Sequence, residues 1–254
     1  MMIQQGNKVN YGNWVPGKII LHQATIAIIC GVLSLFWEVL LVPALFFLLT
    51  ASYFAYARYL FSPEGGNVQE QVRAIVIEHV QRDGKGKALD IGCGGGALTI
   101  KLAQAFPRLT VVGTDSWDRN WEYSQKMCEE NARAENVQDR VTFQKASAAS
   151  LPFPDGHFDI VVSNLVFHEV KETKDKAALI KEALRVLRTG GTFSLQDLFY
   201  LERVFGKPEK LVETIKGWGI RHVELVETRN ARFIPGALKL PFMLGALGLL
   251  KGEK

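Results

Sequence analysis

The sequence predicts an α/β fold: an open, mostly parallel sheet with helices on both faces, preceded by a two-helix transmembrane hairpin. Three observations carry that prediction. From residue 88 onward, apolar strand-like runs alternate with helix-spaced segments, and such alternation builds parallel strands joined by helical crossovers. A glycine-rich turn, GCGGGA at residues 92–97, joins the first of these strands to the next helix. Upstream, residues 19–61 form one apolar run whose only charged side chains are Glu38 and Arg58.

That run is about twice the roughly 20 residues that cross a bilayer as a helix. It divides at Trp37–Glu38 into two expected spans, residues 19–37 and 39–59. Pro43 falls in the first turn of the second span, where its missing N–H costs little. Trp37, Tyr53, Tyr56 and Tyr59 suit an interface. Lys8, Lys18 and Arg58 flank the hairpin, and its turn has no basic residue. Both ends are therefore expected on the cytoplasmic side, with the lipid bilayer as a partner. A helical hairpin buried in a soluble protein is the competing reading. His22 and Gln23, near the start of the first span, are expected at headgroup level.

Thirty basic side chains against 26 acidic give a net charge of +4, and no basic stripe points to nucleic acid. Cys30, Cys93 and Cys128 stand apart without CxxC spacing. They predict a reducing compartment and no metal site.

SPEGGN at residues 62–67 reads as a linker. Residues 68–81 carry Val72, Ile75, Val76, His79 and Val80 at helical spacing. ALDI at 88–91 is the first strand, and Leu98, Leu102 and Phe106 mark one face of the helix after the glycine turn. Residues 109–114 read as a strand ending at Asp115, 117–134 as helix and 140–145 as an alternating strand. FDIVVS at 158–163 suits a buried parallel strand. A helix over 174–188 ends at Gly190–Gly191 before a strand at 192–196. A helix after Pro208 and a strand at 221–227 follow. The methyl-rich tail ALKLPFMLGALGLL, 237–250, is too short to span a membrane. Residues 233–254 read either as an interfacial or lid segment or as a helix packed on the domain, whose own limits are 68–232.

Ligands of open α/β sheets sit beyond the C-terminal ends of the strands. The first strand ends at the glycines, and Asp115 ends the second, 23 residues past Gly92. A carboxylate there can accept both hydroxyls of a ribose. The turn formally matches a dinucleotide fingerprint. Asp90 inside the strand points elsewhere, because its carboxylate can meet an ammonium group.

LDIGCGGG, VVGTDSW, LPFPDGHFDIVVSN and LRVLRTGGTF occur in that order over about residues 88–197. In these motifs the chain resembles the class I S-adenosylmethionine-dependent methyltransferases, whose fold is Rossmann-like, and especially the broad group that includes quinone-biosynthesis methyltransferases. The resemblance implies S-adenosyl-L-methionine as cofactor and assigns roles by position. Gly92, Cys93 and Gly94 would pass the methionine part, with Asp90 supporting them or only buttressing the turn. Asp115 would hold the ribose. Ser116 and Trp117 would flank the adenine, with Ser147 and Ala148 at its far edge. Asn164 would line the methyl-transfer site. Family members commonly have an acidic residue where this chain has Ser147.

His168 and Glu169, in NLVFHEV, follow the fourth strand at the rim of that site. A near-neutral imidazole suits a general base, although capping or packing of the loop explains His168 equally well. Cys93 has no partner base and is not a nucleophile. Trp121 and Tyr123 read as packing or as a substrate entrance. The expectation is a membrane-anchored methyltransferase acting on a lipid-like or other amphipathic small molecule. Its rivals are a tethered cofactor-binding module without catalysis and a nicotinamide-dependent oxidoreductase.

Overall fold

The computed structural model describes residues 9–80, 84–118 and 122–254. The described residues divide into two compact units, Asn13–Val72 and a second in which residues 9–12 join the described part of Arg73–Lys254.

The first unit is a helical hairpin. Helix α1 spans Gly17–Leu33, a 3-10 turn spans Glu38–Leu40, and α2 spans Leu41–Phe61. Small residues Ala27, Ala44, Ala51 and Ala57 are buried, which lets helix backbones approach closely. Thr50 Oγ1 donates to Gln23 Oε1 across the pair at 3.1 Å. Gln23 therefore finds its partner inside the hairpin, whereas His22 is exposed. Trp14 packs edge-on against Phe61 at 5.3 Å, and the Arg58 guanidinium donates to Val15 O. Helix α3, Val68–Glu78, starts after Asn67, whose φ of 53° ends the SPEGGN turn.

The second unit is a seven-stranded sheet. Strand β1 is Lys85–Ile91, followed by α4 (Ala97–Ala105), β2 (Arg108–Asp115), α5 (Gln125–Ala134) and β3 (Val141–Lys145). Then come β4 (Phe158–Asn164), α6 (Lys176–Arg185), β5 (Leu187–Asp197), α7 (Glu202–Phe205), α8 (Pro208–Lys216), β6 (His222–Glu227) and β7 (Gly248–Glu253). The order is β3-β2-β1-β4-β5-β7-β6. Strands β1 to β5 pair in parallel, and β7 runs antiparallel between β5 and β6. This is the expected Rossmann-like α/β sheet. The order reverses between β1 and β4, so the glycine turn lies at the switch point where such sheets bind ligands. Leu89, Ile91, Ile160, Val161 and Val162 are wholly buried, as parallel strands covered on both faces require.

Three elements differ from the sequence expectation. The helix expected over 117–134 begins only at Gln125, where Ser124 Oγ accepts the Met127 N–H at 3.2 Å. Ahead of it the Asp115 carboxylate captures the Trp117 N–H at 2.8 Å, and that local turn competes with helix. Trp121 lies outside the described residues, as does Lys8. The strand expected at 192–196 starts at Leu187, across a register shift opposite Phe158 and Ile160.

The third difference is the apolar tail. Residues 248–253 are neither interfacial, nor a lid, nor a packed helix; they insert as β7 between two strands. Leu249 and Leu250 are wholly buried, because a strand covered on both faces is apolar without alternation. A Cβ on Gly252 would lie 1.9 Å from His222 O, so only glycine fits. The Lys254 ammonium fastens the end of the strand, donating to Leu184 O and Leu187 O at 2.7 Å each.

Candidate functional site

The turn after β1 is held from three sides. The N–H groups of Gly92 and Cys93 both donate to Thr114 O, at 2.7 and 2.9 Å, which ties the turn to β2. Gly92 has φ of 73°, and a Cβ there would lie 2.1 Å from Val166 Cγ2. Gly96, at φ 83°, precedes α4 as its N-cap. The third tie comes from α5: Asn131 Nδ2 donates to Gly95 O at 2.9 Å and Cys128 Sγ to Gly94 O at 3.1 Å.

Asn131 also holds the chain's own N-terminal segment. Asn10 N–H donates to its Oδ1 at 2.9 Å, and its Nδ2 donates to Asn10 O at 2.7 Å. Tyr11 donates to Glu135 Oε1 at 3.2 Å. A Cβ on Gly95 would meet Tyr11 O at 3.0 Å, so residues 10–12 lie directly against the turn. Tyr123 packs here too: it is the nearest neighbour of a Cβ placed on Gly12 or Gly94.

Asp115 closes the other side. Its Oδ2 accepts the Gly94 N–H at 2.9 Å and its Oδ1 accepts the Trp117 N–H at 2.8 Å. The Trp117 indole N–H returns to Gly94 O at 3.0 Å. Trp117 takes a φ of 42° to do so, which costs on the order of 1 kcal/mol for a residue with a Cβ. Burial pushes the Asp115 carboxyl above its usual range. Asp115 and Trp117 therefore form one rigid unit with the glycine turn, while Ser116 between them is exposed.

Beneath the turn, Asp90 is 1% exposed and accepts the Thr99 hydroxyl on Oδ2 at 2.6 Å. Burial pushes its carboxyl up to about 7, against the opposing pull of Thr99. Its Oδ1 is buried without a hydrogen bond, and so is Asn164 Oδ1 at the tip of β4. Cys93 is buried and its thiol is pushed up by burial, so it is no nucleophile. Ser147 and Ala148 follow β3, where Ser147 Oγ donates to Glu172 Oε1 at 2.9 Å.

His168 sits on the loop after β4, where Asp197 organises it. Asp197, wholly buried at the end of β5, takes His168 Nδ1–H on Oδ1 at 2.6 Å. Its Oδ2 accepts the N–H groups of Val166, Phe167 and His168, at 3.2, 2.7 and 3.4 Å. Glu169 Oε1 lies 3.4 Å from His168 Nε2. Burial alone would lower the imidazole pKa, but the charge on Asp197 overrides it and raises the ring to about 10. The ring in turn holds the Glu169 carboxyl below its usual range. At neutral pH the imidazole carries both protons, so it has no lone pair with which to take another. The near-neutral imidazole expected from the sequence differs from this because its partner on β5 was missed.

The site's polar pattern fits a ligand with an ammonium or sulfonium centre and vicinal hydroxyls. Asp90 Oδ1 and Asn164 Oδ1 are buried acceptors without donors, and the Asp115 carboxylate keeps lone pairs for further hydroxyls. Among the described residues no group of three or more His, Cys, Asp or Glu is placed to hold a metal.

Residues 89–195 match the family described as Methyltransferase domain. They form a class I S-adenosylmethionine-dependent methyltransferase domain. The chain is 34% identical over 134 residues to 27-O-demethylrifamycin SV methyltransferase of Amycolatopsis mediterranei, covering 52% of this chain and 46% of that protein. It is 30% identical over 163 residues to ribosomal RNA small subunit methyltransferase C of an Enterobacter species, covering 61% and 44%. Among solved structures it resembles geranyl diphosphate C-methyltransferase from Streptomyces coelicolor, in complex with S-adenosyl-L-homocysteine. That TM-score is 0.59 at 14% identity, covering 78% of this chain and 82% of that one, which is a likeness of fold. The chain spans about half the length of the curated relatives it matches.

The cofactor of the methyltransferase domain is S-adenosylmethionine. The motif residues Asp90, Gly92, Cys93, Gly94, Asp115, Ser116 and Trp117 gather at the ends of β1 and β2, and Ser147, Ala148 and Asn164 at the next strand ends. Sequence reasoning missed Asp197 and Asn131. Asp197 had the signal that found Asp115, a carboxylate at the C-terminal end of an apolar strand. Asn131 had none.

Proposed function

We propose that the protein is a membrane-anchored methyltransferase that moves a methyl group from S-adenosylmethionine to a lipid-like or other amphipathic small-molecule acceptor. The observation that carries the anchor and the acceptor class is the apolar surface of the hairpin. Of 19 exposed large hydrophobic side chains among the described residues, 17 lie between Leu21 and Tyr59. Water does not tolerate a patch of that extent, whereas a bilayer solvates it. Residues Glu38–Phe61 are long and apolar enough to cross a membrane, with mean hydropathy 2.0. Helix α1, at 17 residues, reaches only about 25 Å, and it pairs with α2 inside the bilayer. Both ends of the hairpin face the cytoplasm. An anchored enzyme meets bilayer-borne acceptors by two-dimensional search. A phospholipid headgroup amine or a prenylated quinone precursor fits that setting.

When bound, the cofactor supplies an electrophilic methyl group on a sulfonium. The chain's residues have to align the acceptor with it and exclude water. The glycine turn holds the methionine part, Asp115 the ribose hydroxyls, Ser116 and Trp117 the adenine face, and Ala148 its far edge. Asn164 lines the transfer site. His168, through Asp197, fixes the rim loop. An electron-rich carbon attacks before any proton leaves and suits a charged imidazole, whereas a headgroup ammonium first gives up a proton to water to expose its lone pair. An oxygen acceptor would need His168 deprotonated, and its rate would climb with pH towards about 10.

The test is transfer of labelled methyl from S-adenosylmethionine into a membrane lipid extract by the full chain in vesicles. Label in the organic phase supports the proposal. Tight S-adenosylhomocysteine binding without transfer to any fraction favours a cofactor-binding module without catalysis.

A further inference from the structure

The loop after β3 carries no ionisable side chain between Ala146 and Ser150. It nevertheless lies where the base of the cofactor must go. Strand β3 neighbours β2 on the side away from β1. Asp115 pairs in register with Lys145, and Ala146 N–H donates to Asp115 O at 3.0 Å. With the methionine part on the β1 turn and the ribose at Asp115, the purine continues towards Ser147.

A carboxylate reaches that place from another element. Glu172, on the loop between β4 and α6, accepts the Ser147 hydroxyl at 2.9 Å. Ser147 Oγ in turn accepts the Ala149 N–H at 3.1 Å. Its one proton is therefore committed to Glu172, and the hydroxyl is fixed in direction. An ionised carboxylate accepts at about four lone-pair sites, so Glu172 retains capacity after Ser147. Backbone N–H groups and the Ser147 hydroxyl hold its carboxyl below its usual range.

We infer that Glu172 reads the exocyclic amino group of the cofactor's adenine, with Ser147 orienting it. This rests on the S-adenosylmethionine assignment above. The consequence is that one loop serves both ends of the site. It carries His168 at the transfer rim and Glu172 at the purine edge, so adenine recognition helps order the rim.

Binding of two ligands to the full chain tests this by calorimetry: S-adenosylhomocysteine, and S-inosylhomocysteine, in which a carbonyl oxygen replaces the amino group. The carbonyl faces a carboxylate without a proton between them. Unmodified protein is expected to prefer the adenine ligand about ten-fold, the scale of one hydrogen bond to a charged group. In Glu172→Gln the amide can donate to the carbonyl, and the preference is expected to fall to about two-fold or reverse. Glu172 is exposed, so the substitution leaves the core untouched. An unchanged preference in Glu172→Gln, with S-adenosylhomocysteine still bound, overturns this inference alone. Failure of the unmodified protein to bind S-adenosylhomocysteine overturns the cofactor assignment and this inference with it.

Discussion

His168 Nδ1 lies 2.6 Å from Asp197 Oδ1, across the gap between the loop after β4 and the end of β5. The pair joins two strand ends that are far apart in sequence, and it sets the charge of the ring. The folded pKa of about 10 exceeds the ordinary 6.5, so the pair stabilises the folded state fully below the lower value. That stabilisation is lost as pH rises from about 6.5 to about 10. The stability lost in His168→Gln, measured by chemical unfolding in detergent, should therefore be largest near pH 6 and shrink steadily towards pH 10. A constant difference across that range would contradict the ion pair.

Asp90 titrates in the opposite sense. Its carboxyl is held up to about 7 by burial, so it is half protonated near neutrality. A ligand ammonium favours the ionised form. Affinity for S-adenosylhomocysteine should rise several-fold from about pH 6 to about pH 8, and Asp90→Asn should flatten that rise. An identical pH profile in the variant would remove Asp90 from the binding site.

Gly92 is a test of backbone geometry. At φ 73°, with Val166 Cγ2 only 2.1 Å from a Cβ, alanine both strains the backbone and clashes. Gly92→Ala should weaken cofactor binding at least ten-fold. Adding Val166→Ala should recover only part of the loss, because about 1–2 kcal/mol of backbone strain remains. Full recovery would mean that the clash alone matters.

The hairpin yields a test that spares the catalytic unit. Phe46 and Leu49 are 59% and 70% exposed on α2. Lysine at a membrane centre costs about 2.5–3.5 kcal/mol on insertion scales. Phe46→Lys with Leu49→Lys should reduce vesicle flotation severely and leave S-adenosylhomocysteine affinity within two-fold. Undiminished flotation would assign the apolar surface another partner. Truncation is a poorer probe, since removal of residues 1–61 also removes Asn10 and Tyr11 from the glycine turn.

The sheet was legible because local chemistry and long-range fold agree there. FDIVVS can only be a strand buried on both faces, and GCGGGA demands positive φ. What stayed hidden depended on partners far along the chain. Asn131 reads as an ordinary helix residue until Asn10, 121 positions away, meets it. Leu249 and Leu250, at the end of the apolar tail 237–250, look like membrane-seeking sequence because burial between β5 and β6 selects the same side chains as burial in lipid. Trp117 keeps helical company in the sequence, and only the Asp115 carboxylate turns it out of helix. His168 was visible, but its charge belongs to Asp197.

The central claim is that the β1 turn and Asp115 form one cofactor site. Titration of the full chain with S-adenosylhomocysteine, before and after Asp115→Ala, tests it most directly. Removing the carboxylate takes away the brace on Gly94 and, on the proposed reading, the ribose acceptor. The predicted result is binding by the unmodified protein, no binding of NAD, and a loss of more than ten-fold in the variant. Equal affinity in the two proteins, or NAD binding in place of S-adenosylhomocysteine, would contradict it.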